Sequence, residues 1–98
     1  MSEEHPVVLL LTIELLVPHA HSLKDKRAAI KSLKDRIRSR FNASVAEVGY
    51  LDKWQRAMLG VAMVGNDRRH MESEAGRLEQ LYQEMPDLQP VSARLEWL

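Results

Sequence analysis

The chain has 98 residues, no cysteine, and 14 Lys and Arg against 14 Asp and Glu, which is enough for one domain, 1–98, and too little for two. Hydrophobic residues make up 45% and charged residues 29%, with only four Gly and four Pro, which excludes disordered and collagen-like classes. The missing Cys excludes thiol catalysis and Cys-based zinc sites, and points to a reducing interior. The start Met1-Ser2-Glu3-Glu4-His5-Pro6 is acidic where a secretory signal is basic, and residues 1–6 are expected to be flexible. The expectation is a soluble, cytoplasmic protein with no membrane partner.

Val7 to Val17 is rich in Val, Leu and Ile on both alternating sets, the pattern of a central strand, and it is too short to span a bilayer. Ser22, three residues before Asp25, resembles a capping box. It opens a helix whose apolar residues Leu23, Ile30, Leu33, Ile37 and Phe41 fall on one stripe. Ala43 to Val48 is a short strand before Gly49. Tyr50 to Gln55 then forms a hairpin-like connection to a second long apolar strand, Arg56 to Val64. Asn66 or Asp67 caps a second helix with Met71, Ala75, Leu78, Tyr82 and Met85 on one face, ended by Pro86. Leu88 to Leu98 alternates Val91, Ala93, Leu95 and Trp97 with polar residues, a half-buried strand whose Pro90 suits a sheet edge.

This order predicts an α+β, ferredoxin-like βαββαβ sandwich: a four-stranded antiparallel sheet with two helices on one face. The first and third strands are expected at the centre. The other face of the sheet is left to water or to a partner.

The neutral total conceals a dipole. Residues 21–41 carry net charge +6, so the remainder carries −6. Arg27, Lys31, Lys34 and Arg38, with Lys24 one turn earlier, form a basic stripe flanking the apolar seam. Like charges so spaced cost roughly 0.2–0.5 kcal/mol per pair, so helix stability alone does not select them. The stripe is either a face that attracts a polyanion or a solvated face balanced by Glu72, Glu74 and Glu79 of the second helix. Arg68 and Arg69 are expected near Arg38 and Arg40, extending the patch. His21 and Ser22 lead into the N-terminus of the basic helix, where free N–H groups suit an anion. His19 and His21 form no recognised metal-ligand pattern, and no metal or cofactor is expected.

Gly-rich phosphate loops, nucleophile elbows and the His-Glu-x-x-His motif are absent, so the chain is read as non-enzymatic. Trp54 is expected to be a packing anchor or an interface residue, with base stacking the minor alternative. The two long strands hold no aromatic residue, unlike RNA-recognition motifs of the same topology, so RNA contact is expected through phosphates on the helix.

The segments His21-Ser22-Leu23-Lys24-Asp25-Lys26-Arg27, Arg40 to Val48, Trp54-Gln55-Arg56-Ala57 and Asn66-Asp67-Arg68-Arg69-His70 resemble the YlxP-like family of small bacterial proteins. The resemblance covers nearly the whole chain. Ala43 stands where Val is expected and Gly65 where Ser is expected. The resemblance implies a ferredoxin-like domain and a link to ribosome-binding factor A. The expected function is an RNA- or ribosome-associated accessory protein. Its expected phosphate contacts are Lys24, Lys26, Arg27, Lys31, Lys34, Arg38, Arg68 and Arg69, with ribosomal RNA or a ribosomal subunit as partner. The alternative is a homodimeric scaffold or small-ligand module using the open sheet face.

Overall fold

The computed structural model describes residues 5–98. Of the segment expected to be flexible, 1–6, residues 1–4 lie outside the described residues. The elements are β1 (Val7–Leu16), α1 (Leu23–Arg40), β2 (Ala43–Gly49), β3 (Arg56–Gly65), α2 (Arg68–Gln83) and β4 (Gln89–Trp97). The sheet order is β2-β3-β1-β4 with every pair antiparallel, the ferredoxin-like topology expected from the sequence.

Strand parity places the core. The odd residues of β1 and β3, from Leu9 to Leu15 and from Ala57 to Met63, are buried under the helices. The even residues Val8, Leu10, Thr12, Glu14 and Leu16 form the open face, opposite Val64, Ala62, Gly60, Met58 and Arg56. From above, Ile30, Leu33 and Ile37 of α1 and Met71, Ala75, Leu78 and Tyr82 of α2 close the core. Both helix starts are capped by side chains. Ser22 Oγ accepts from the Asp25 N–H at 3.0 Å, and Asp67 Oδ1 accepts from Arg69 and His70 N–H at 3.0 and 3.4 Å.

Two expectations change. β4 is exposed along most of its length, although Ala93 and Leu95 pair with Ile13 and Leu11 on the helix-covered parity. The reason is its edge position: only Trp97, at its far end, packs against the core. The second correction concerns Lys26, expected on the phosphate-binding surface. It is 0% exposed beneath α1. Its ammonium donates to the Tyr50 and Arg56 carbonyls at 2.8 and 3.2 Å and lies 2.8 Å from Glu47 Oε2. Two carbonyls thus accept hydrogen bonds from the ammonium and Glu47 supplies the counter-charge, which together allow a charge to be kept in a core.

Removing one member of this pair leaves the other uncompensated. Lys26→Met is expected to lower the unfolding free energy by about 3–5 kcal/mol. Lys26→Met/Glu47→Leu recovers much of that loss, as urea denaturation would show. A double variant no more stable than the single one would contradict the assigned pairing. A second outcome concerns alkaline pH. Burial, and secondarily the charge of Glu79, pushes the Tyr82 phenol up to about 12. Because its folded value lies above the ordinary value near 10, the contribution of the neutral phenol is complete below about pH 10 and is lost between about pH 10 and 12. Tyr82→Phe should flatten the stability profile in that window.

Candidate nucleic-acid interface

α1 presents its basic residues unevenly. Lys24, Arg27, Lys31 and Arg38 are exposed and Lys34 is half-buried, whereas Lys26 points the opposite way into the core. With Lys26 buried, the remaining residues of 21–41 carry +5 of the +6 counted for that segment. Its side of the molecule is fixed by Arg38, whose Nη2 donates to the Val45 carbonyl on edge strand β2 at 3.2 Å. The ridge runs beside that edge, and this bond occupies one of the acceptors that β2 would offer to another strand.

Neutralisation of the ridge is local and partial. Lys31 Nζ lies 2.7 Å and Arg38 Nη1 3.9 Å from the Asp35 carboxylate. The hydrogen bond from Lys31 holds the Asp35 carboxyl below the usual carboxylate range, against desolvation, and the charges of Lys31, Arg38 and Lys34 help it. Lys24, Arg27 and Lys34 have no side-chain partner among the described residues. The acidic residues of α2 do not serve α1. Glu74 pairs instead with His70 and Arg77 of its own helix at 3.7 and 3.3 Å.

The 66–70 connection lies beside Phe41 and Asn42 at the end of α1 as expected, but Arg68 does not extend the ridge. The Arg68 guanidinium sits 5.1 Å from the Trp97 ring centre, over β4, at the opposite sheet edge from β2. Arg69 is exposed at the start of α2 beside it. The anion site expected at His21 and Ser22 is also filled by the protein itself. The Ser22 hydroxyl accepts from Asp25, and the Asp25 carboxylate accepts from the His21 N–H at 3.0 Å, placing a negative charge at the helix start. Among the described residues no group of three or more His, Asp or Glu gathers as metal ligands.

A second feature was not read from the sequence. The β2–β3 hairpin borders an open surface groove of about 610 Å³ lined by Leu16, Tyr50, Asp52, Lys53, Trp54, Gln55 and Arg56. Arg56 stacks 4.6 Å from the Tyr50 ring centre while its Nε donates to Glu14 Oε2 at 2.8 Å. That contact gives Glu14 its partner on the open face. Trp54, expected first as a packing anchor, is 54% exposed in this groove. The available signal was a Tyr and a Trp closely spaced within a polar turn, which no core stripe claimed.

A small ferredoxin-like domain with a partly neutralised basic ridge beside one sheet edge is thus the class that fold and site define. The chain belongs to the family described as "Protein of unknown function (DUF503)", whose model matches residues 8–95. It is similar to the "Uncharacterized protein YlxP" of Bacillus subtilis (strain 168), with 37% identity over 84 residues covering 86% of this chain and 91% of that protein. No helix among the described residues is long and apolar enough to cross a membrane.

Asp35 is the only acidic side chain paired with the ridge among the described residues, so Asp35→Asn should free Lys31 and Arg38. The variant is expected to elute from a phosphocellulose column at higher salt than the wild type. Unchanged elution would mean that the ridge does not face the resin.

Proposed function

We propose that this protein is a non-enzymatic RNA- or ribosome-associated accessory protein that holds phosphates along α1 through Lys24, Arg27, Lys31, Lys34 and Arg38. The observation that carries the reading is a basic ridge on a neutral chain in which Lys24, Arg27 and Lys34 make no ion pair among the described residues. Its length favours a polymer. At 1.5 Å per residue, Lys24 to Arg38 spans about 21 Å, more than twice the Debye length of about 8 Å at physiological salt. One compact anion neutralises only part of such a ridge, whereas an extended polyanion meets it throughout. Ribosomal RNA is the abundant cytoplasmic polyanion of this kind.

Co-sedimentation with ribosomes and separated subunits, at low and high salt, tests the reading. Wild type should sediment with a particle at low salt and leave it as salt rises. Lys31→Glu/Lys34→Glu/Arg38→Glu, first shown to be folded, should not sediment. With single-stranded RNA, losing three phosphate contacts should reduce the slope of log affinity against log salt by about 2. Equal binding by the variant, or no binding of either protein to any particle, would overturn the proposal.

A further inference from the structure

The hairpin groove lies at the end of the molecule from which the ridge starts. Lys26 anchors both ends of the loop through the Tyr50 and Arg56 carbonyls, so Lys24 and Arg27, within a turn of Lys26, are at that end too. We infer that the β2–β3 hairpin takes a nucleobase of single-stranded RNA, stacked on Trp54, while the adjoining phosphates run onto Lys53 and the start of the α1 ridge. The inference rests on the RNA reading above and deepens it.

The chemistry of the groove selects this occupant. Its size is ordinary for a small-molecule or base site, which holds apolar walls and a few polar groups. Leu16, the Tyr50 ring and the Trp54 indole supply the apolar surface. The Lys53 ammonium, the Asp52 carboxylate, the Tyr50 hydroxyl and the Trp54 indole N–H have no hydrogen-bond partner among the described residues. A hydrocarbon ligand would cover these groups and leave them unpaired, at a cost. A base offers a π-face to the indole together with donors and acceptors at its edge. Arg56 is held by Glu14 and Tyr50, so the floor is set before any ligand arrives. Gln55 secures the same loop from the other side, donating to the Ala20 and Pro18 carbonyls at 3.0 and 3.3 Å. The nearby cations Lys53, Lys24 and Arg27 favour an anionic chain over a neutral or basic peptide, and the indole face favours, among anionic chains, one that carries bases. The absence of aromatics from β1 and β3 therefore does not leave the protein without a stacking surface; that surface sits on the hairpin instead.

The test uses Trp97→Phe, in which Trp54 is the sole indole. Titration with a single-stranded RNA decamer, and separately with adenosine monophosphate, should quench Trp54 emission saturably. Trp54→Ala should weaken decamer binding about tenfold, Trp54→Phe should retain most of it, and a duplex of equal length should bind wild type and Trp54→Ala alike. Salt-sensitive RNA binding without Trp54 quenching or loss in Trp54→Ala would overturn the base site and leave the phosphate ridge standing. Quenching by adenosine monophosphate with no RNA binding would support the base site and overturn the RNA reading. Absence of both would overturn both.

Discussion

Lys26 is the interaction on which the rest of the molecule is arranged. Its ammonium ties the first turn of α1 to three separate places: Glu47 on β2, the Tyr50 carbonyl at the start of the hairpin, and the Arg56 carbonyl at the head of β3. Tyr50 adopts φ 57°, a left-handed conformation that a bulky residue enters only when its surroundings compel it. In that conformation its carbonyl accepts from both Lys26 Nζ and the Lys53 N–H, the latter at 3.0 Å. The strained residue and the buried charge stabilise each other. Without the cation, the carbonyls and Glu47 would lose their shared partner in a site where water cannot replace it.

The same contact sets the rotation of α1 about its axis. With Lys26 pointing inward, the residues one position on and their helical neighbours, Arg27, Lys31, Lys34 and Arg38, turn toward the β2 edge. Arg38 secures the far end of the helix there through Val45. A rotation by one residue would bury Arg27 without a counter-charge and release Glu47. The ridge is therefore held in place by the core as well as by its own spacing, and its direction of approach to a partner is fixed in the folded protein.

The alternation of β1 and β3, the caps Ser22 and Asp67 and the breaks at Pro18 and Pro86 made the element order and the open face legible in the sequence. Each of these is a local signal. The role of Lys26 is not local, yet two clues to it were present. Leu23, Ile30, Leu33 and Ile37 leave a gap of seven that Lys26 fills at the position expected for a seam residue. Glu47 shares the inward parity of Ala43 and Val45. Either residue alone reads as a surface charge. Only the pairing of helix and strand, which depends on tertiary geometry, shows that they bury together. The exposure of β4 was hidden for a similar reason, since alternation reveals which face a residue takes but not whether a helix covers that face.

The two helices handle charge differently, and this separates a surface that settles its own field from one that projects it. On α2, Glu74 receives both His70 and Arg77, and Glu79 accepts from Gln83 at 3.2 Å, so part of its polar face is closed among its own residues. On α1, Asp35 alone serves Lys31 and Arg38, and Asp25 is turned back toward the His21 backbone. If the basic face were merely balanced by α2, ion pairs from its acidic residues would reach α1, yet Glu74 pairs within its own helix and Glu72 and Glu79 make none to α1 among the described residues. Among the described residues, no ion pair reaches Lys24, Arg27 or Lys34, which leaves them to water and salt. Release of their counterions to an incoming polyanion, together with release of the counterions condensed on that polyanion, gives a driving force that requires no base-specific contact along the helix. Specificity must then come from another place, and the aromatic hairpin at the head of the ridge is the part of this surface whose geometry is selective enough to supply it.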